Sequence, residues 1–234
     1  MLPGFKFRAS LVPTLAALAT IALTIELGRW QLTRAAEKEG LQAQYEQRAA
    51  QPALRLSGAE VNPEALHYRS VEAEGIYVPE QQILLDNRFF KDQVGYQVVT
   101  PLRLGTGNRC ILVNRGWVAR GADYATLPRI ETPAGRVRVE GIAVLPSQKF
   151  LELSPSTVSG NVWQNLVLSR YRERTGVDVM AVVLLQRNKA GDGLVRSWER
   201  PDTGIERHRG YAFQWFALAA AVFITYVALN LKRG

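Results

Sequence analysis

Cysteine, histidine and methionine are nearly absent from this chain: its 234 residues hold one cysteine, two histidines and two methionines. The lone Cys110 excludes an internal disulfide and a Cys-x-x-Cys redox or metal pair. His67, His208, Met1 and Met180 are too few soft ligands for a copper carrier or a structural zinc centre. Acidic residues are outnumbered, 21 against 29 basic, for a formal net charge of +8. A basic balance suits nucleic acid, acidic lipid or an anionic cofactor. There is no dense Lys/Arg run and no recognisable nucleic-acid module, so nucleic acid is set aside as a partner. No Gly-x-Ser-x-Gly elbow, P-loop or His-Glu-x-x-His motif occurs. Internal repeats and low-complexity linkers are missing too. So few nucleophile, base and metal combinations argue against an enzyme.

What the chain has is a sharp partition of apolar residues to its two ends. Ala9 to Ile25 carries no charge and approaches the roughly 20 residues that span a bilayer. Lys6 and Arg8 precede this run, Pro13 lies where a first helical turn tolerates it, and Trp30 follows at interfacial spacing. A cleaved signal peptide is the alternative, but its small-residue cleavage site at Ala17 and Ala19 would cut inside the run. Gly210 to Leu231 is again uncharged and long enough to span with some tilt. Tyr211 and Trp215 mark one end, Tyr226 the other, and Lys232 and Arg233 close it. Two spans put both termini on one side. Lys6, Arg8, Lys232 and Arg233 favour the cytoplasm for that side, yet Arg29, Arg34, Lys38, Arg207 and Arg209 flank the opposite ends, so charge bias alone does not orient the pair.

Between the ends the periodicity changes. A helix rich in Ala, Glu, Gln and Arg continues from Trp30 to about Ala49, where Pro52 stops it. Period-two alternation then predicts strands over Ser70–Tyr77, Gln82–Asp86, Gly95–Leu104, Arg109–Val118 and Arg136–Leu145, with Gly107-Asn108 as a turn. A short helix is predicted over Asn165–Thr175, stopped by Gly176, and a buried strand over Val179–Gln186. The expected fold is a membrane protein with two transmembrane α-helices flanking an α+β domain, mainly antiparallel sheet or a partly closed barrel with one or two short helices. The expected boundaries are residues 1–9, a span at 10–28, the domain at 29–207 with its juxtamembrane helix, a span at 208–231 with an interfacial start, and 232–234.

Several residues invite a chemical reading. Asp86 and Asp92 near Arg88 and Lys91 read as solvated turn charges. His67 reads as a surface or capping residue, and Cys110 as a small buried hydrophobe. His208 differs, because it stands between Arg207 and Arg209 just before the second span. An imidazole at a membrane surface can ligate an iron porphyrin, and the arginines can pair with porphyrin carboxylates. Trp30 and Trp215 read as interfacial anchors or as residues flanking the porphyrin. The bilayer would take an apolar tail, so the set suits a lipophilic heme.

The same residues carry a resemblance. GRWQLTRAAEK (28–38) after a first span, EGIYVPEQQILLDNR (74–88), GYQVVTPL (95–102), ILVNRGWV (111–118), Trp163 before a short helix and HRGYAFQWF (208–216) follow one another along nearly the whole chain. In this order they resemble the bacterial type of the Surfeit locus protein 1 family, the cytochrome c oxidase assembly factors. The resemblance implies cytoplasmic termini and a domain on the periplasmic side of a bacterial inner membrane. It implies a non-enzymatic role in maturing oxidase subunit I, beside other oxidase assembly factors, by binding or presenting heme a. His208 is implied as the axial ligand candidate, with Arg207, Arg209, Arg29, Trp30 and Trp215 around it. The alternative is a membrane scaffold for oxidase subunits that binds no heme. Gly75 and Arg115-Gly116-Trp117 match central motifs and are read as structural: a close packing or bulge at Gly75, and a strand end docking on the membrane-proximal helices at 115–117.

Overall fold

The computed structural model describes residues 5–7, 9–59, 61–105, 107–121, 126–146, 158–198 and 204–233. In chain order these form β1 (Phe5–Phe7), α1 (Leu11–Ala49), β2 (Leu54–Leu56), α2 (Pro63–Leu66), β3 (Ser70–Tyr77), β4 (Ile83–Phe90), β5 (Gln93–Leu104) and β6 (Cys110–Ala119). There follow β7 (Arg136–Val144), β8 (Val158–Ser159), β9 (Val162–Trp163), α3 (Leu168–Thr175), β10 (Val179–Gln186), α4 (Ile205–Asn230) and β11 (Leu231–Arg233). The chain divides into two units: residues 1–44 with 200–234, and residues 45–199.

The first unit is an antiparallel helix pair. Among the described residues, α1 and α4 are the helices long and apolar enough to cross a membrane, and only 11% of each apolar window is buried. The less exposed positions of α1 recur every seventh residue, at Thr14, Ile21, Gly28 and Ala35 and at Ala17, Thr24, Gln31 and Lys38. Those of α4 include His208, Trp215 and Val222, and Ala212, Ala219 and Tyr226. A seven-residue repeat keeps one seam facing its partner. Small residues on that seam let the backbones approach: a Cβ on Gly28 would lie 2.7 Å from the Phe216 ring. Polar seam residues are satisfied. Thr14 Oγ1 and the Tyr226 hydroxyl are 2.6 Å apart, and Thr24 donates to the Thr20 carbonyl at 2.9 Å. Beyond the pair, β1 and β11 run antiparallel, so the chain past Asn230 is extended rather than helical. Arg8 lies outside the described residues, as do the side chains of Lys6, Lys232 and Arg233.

The second unit is built on a closed barrel of five strands. The order β3-β7-β10-β6-β5 returns to β3, with every pairing antiparallel except β10 with β6. The strand spans agree with the sequence reading to within a few residues, and β3 and β10 agree at both ends. Closure depends on Gly75, which pairs with Val137 of β7 on one side and Leu104 of β5 on the other. A Cβ there would sit 2.0 Å from the Arg103 carbonyl oxygen, so the close packing expected at this glycine is what lets β5 reach β3. Alternate residues of each strand fill the interior: Val71 and Ala73, Leu102 and Leu104, Ile111 and Val113, Val139 and Ala143, Val182 and Leu184. The opposite faces of β5, β6 and β10 pack against Trp163 and Tyr171.

Differences from the sequence reading are local. β4 runs on to Phe90, through a register shift between Leu85 and Arg88 where Asn87 takes φ +57°. α3 starts at Leu168 rather than Asn165, because Leu166 is drawn into the cluster around Trp163. Its end was legible: Gly176 takes φ +69° and donates to the Arg172 carbonyl. The short elements β2, α2, β8 and β9 carry too little periodicity to be read from sequence.

Candidate functional site

The helix pair decides which site residues meet. Two turns of α1 point Gly28, Gln31 and Ala35 toward α4 and turn Arg29 and Trp30 outward, because adjacent helical residues diverge by about 100°. On α4 the seam position is His208. Its Nδ1 lies 2.6 Å from Oε1 of Gln31, across 177 residues of sequence. An amide oxygen only accepts, so in the neutral ring this contact puts the proton on Nδ1 and the lone pair on Nε2. His208 is half-buried, and its main-chain N–H donates to the Gly204 carbonyl at 3.1 Å.

The other candidates lie around this pair without converging on it. Arg29 is exposed and ion-paired to Glu26 at 3.3 Å. Trp30 is 50% exposed, with the Arg34 guanidinium 5.7 Å from its ring centroid. Arg207 is exposed and Trp215 half-buried. Arg209 holds Glu39 at 2.8 Å and Glu206 at 3.2 Å, so its charge is already met by two carboxylates.

A second polar cluster closes one end of the barrel interior. Tyr77, Thr100, Arg115 and Gln186 extend the inward-facing rows of β3, β5, β6 and β10. Arg115 is fully buried, with its guanidinium 5.0 Å from the Tyr77 ring centroid. It donates to Thr132 Oγ1 and the Glu131 carbonyl, both at 2.7 Å, and to Asp192 at 2.9 Å. Arg196 donates to the same carboxylate at 2.7 and 2.8 Å. Burial alone would raise the Asp192 pKa. The hydrogen bonds and charge of Arg196, with the hydrogen bonds from Arg115 and the Leu194 N–H, outweigh it and hold the carboxyl below its ordinary range. Burial pushes the Tyr77 hydroxyl up to about 12, against the opposing charges of Arg115 and Arg196.

The motif at 115–117 therefore lies inside β6 instead of ending it, and its partners belong to the barrel unit. Gly116 has φ +143°, and a Cβ on it would meet the Val195 carbonyl oxygen at 2.8 Å. Trp117 pairs with Val195 through two main-chain bonds of 2.8 Å and donates its indole N–H to the Arg88 carbonyl. The turn charges also pair differently: Asp86 takes Arg120. His67 does cap, accepting the Leu145 N–H at Nδ1 over 3.2 Å.

The sequence model described as the SURF1 family matches residues 18–220. The chain belongs to the SURF1 family. It is similar to a SURF1-like protein of Rickettsia bellii, 29% identical over 91% of this chain and 88% of that one. A SURF1-like protein of Monosiga brevicollis is 26% identical over 94% of this chain and 88% of its own. Surfeit locus protein 1 of Rattus norvegicus is 25% identical over 91% of this chain and 74% of the relative.

For a SURF1-family chain, the donor set at His208 suits a single axial nitrogen. No cluster of three His, Cys, Asp or Glu side chains able to hold a bare metal ion occurs among the described residues. A histidine whose Nδ1–H is held by an acceptor and whose Nε2 is available is the usual form of a metal-binding imidazole. The residues thus fit a porphyrin iron in their chemistry, with Arg207 exposed nearby in sequence for a carboxylate. Sequence reasoning missed Gln31 as the partner of His208, and missed Asp192 and Arg196. Gln31 stood inside a quoted motif, but nothing local ties it to a residue at the far end of the chain.

Proposed function

We propose that this chain is a non-enzymatic, membrane-tethered assembly factor for a heme-copper terminal oxidase, cytochrome c oxidase, and that it holds heme a during maturation of subunit I. It sits in a bacterial inner membrane through α1 and α4, with both termini in the cytoplasm and the barrel in the periplasm, and works beside other oxidase assembly factors. Family membership supports the assembly role. The observation that carries the heme reading is the His208–Gln31 pair on a seam between two apolar helices. His208 would ligate the iron through Nε2. Arg207 would meet a carboxylate, Trp215 and Trp30 would flank the ring, and the bilayer would take the apolar tail. When bound, heme a supplies a redox-active iron that accepts axial nitrogen ligands.

Purifying the protein from cells that make heme a, and extracting the pigment, tests this directly. Wild type is expected to carry heme a and His208→Ala to lose most of it. Equal heme content in both removes the ligand assignment.

One observation favours a scaffold that binds oxidase subunits without heme. Arg209, read as a porphyrin carboxylate partner, and Arg29, a further cofactor-binding candidate, are ion-paired to protein carboxylates. Full oxidase activity restored to a deletion strain by His208→Ala would select that reading.

A further inference from the structure

We propose that Gln31 is a positioning residue, which holds the His208 imidazole in the tautomer that presents Nε2 as a ligand atom. This rests on the reading of His208 as an axial ligand, and adds a second helix to the site. Both side chains lie on the seam of the helix pair, Gln31 three residues after Gly28, where α4 comes close, and His208 four residues before the buried Ala212. The separation of 2.6 Å between Nδ1 and Oε1 is short for an N–H···O bond. Neutral imidazole in water favours the proton on Nε2, which would turn the ligand atom inward to Nδ1 and the crowded side of the ring. An acceptor on α1 reverses that preference. Gln31 is suited to it because its oxygen has no proton to offer and its uncharged amide tolerates an apolar seam better than a carboxylate would. The sequence around it fits: Arg29 and Trp30 turn outward, so in this stretch of α1 Gln31 is the polar residue aimed at α4.

The test uses the full chain in detergent micelles with ¹⁵N-labelled histidine, first free of heme and at a mildly alkaline pH where imidazole is neutral. Ring ¹⁵N shifts distinguish Nδ1–H from Nε2–H. Wild type is expected in the Nδ1–H form. Gln31→Leu should move His208 toward Nε2–H, while Gln31→Glu, which keeps an acceptor, should retain the wild-type tautomer. Titration with hemin as the probe then reads the low-spin absorption spectrum. Gln31→Leu should weaken binding by about 10- to 100-fold, the range seen for partners behind metal-bound histidines, and Gln31→Glu should recover it. An Nε2–H wild type, or a tautomer unmoved by Gln31→Leu, overturns the positioning role even if His208→Ala abolishes hemin binding. The expected tautomers together with hemin binding untouched by His208→Ala would overturn the ligation reading instead, and with it the proposal's purpose.

Discussion

Replacing Asp192 by asparagine removes the single carboxylate that serves two interior guanidiniums while leaving the shape of the side chain. In the folded protein the Asp192 side chain is 2% exposed, Arg115 0% and Arg196 11%, so water reaches none of them well. Losing one partner of a buried pair costs about 3–5 kcal/mol, because the remaining charge stays desolvated. Here two like charges remain, which places the expected loss in the upper part of that range. Domains of this kind are stable by only about 5–15 kcal/mol in total. For a chain of this size each kcal/mol moves the midpoint by roughly 2–4 °C, so a loss of about 4–5 kcal/mol should lower the melting temperature by roughly 8–20 °C. The loss need not mean that the cluster is itself stabilising. An Arg115→Met, Asp192→Leu, Arg196→Met triple variant takes every charge away and should be more stable than Asp192→Asn. The assay is thermal unfolding of the full chain in detergent, followed by near-ultraviolet circular dichroism. A cost below about 1 kcal/mol for Asp192→Asn, or a triple variant less stable than the single one, refutes the reasoning. Acid makes the same case in one protein: a carboxyl held below its ordinary value adds stability that is complete above that value and is lost as pH falls through the folded one.

Gly75→Ala should cost about 3 kcal/mol or prevent folding, since its methyl would sit 2.0 Å from the Arg103 carbonyl oxygen at the barrel closure; denaturant midpoints measure this, and a near-neutral result contradicts the dual pairing of β3. Gly28→Leu should wedge the helix pair apart at Phe216, lowering disulfide yield several-fold between cysteines introduced at Thr14 and Tyr226, whereas an unchanged yield speaks against the close approach. Burial of His67, set against the opposing Glu64 and aided by Arg48, depresses its folded pKa from 6.5. Its contribution is therefore complete above that pH and lost progressively below it, with a slope of at most about 1.4 kcal/mol per pH unit; His67→Gln should remove that segment of a stability–pH curve. Burial also raises the Cys110 thiol above its ordinary range, so alkylation by iodoacetamide should wait for denaturant, and rapid labelling of the native protein contradicts its 2% exposure.

How much could be read in advance depended on the range of the interaction. Strands declare themselves within eight residues, because a half-buried strand must alternate; Ser70–Tyr77 does so and forms at those limits. The register shift in β4 was not legible, since alternation does not show where a strand slips past its neighbour at Asn87, and the late start of α3 answers to a cluster that gathers residues far along the chain. At the candidate site His208 stood out through its place before an apolar run, and its flanking arginines through their charge. Arg29 and Trp30 shared a motif with Gln31, yet the helix turns the first two away and the third inward. That turn could have been read from heptad spacing, but its partner could not.

By itself the sequence determined two apolar helices at the ends, a β-rich domain between them and a histidine poised before the second apolar run. Hydrophobicity and periodicity are local properties, and they suffice for that. Only the tertiary structure decided that β5 closes onto β3 at a glycine, that β10 lies parallel to β6, that one aspartate serves both Arg115 and Arg196, and that Gln31 meets His208. Those pairings join residues 29, 77 and 177 positions apart, among others. Chain entropy gives no preference for one distant partner over another until packing brings the two together.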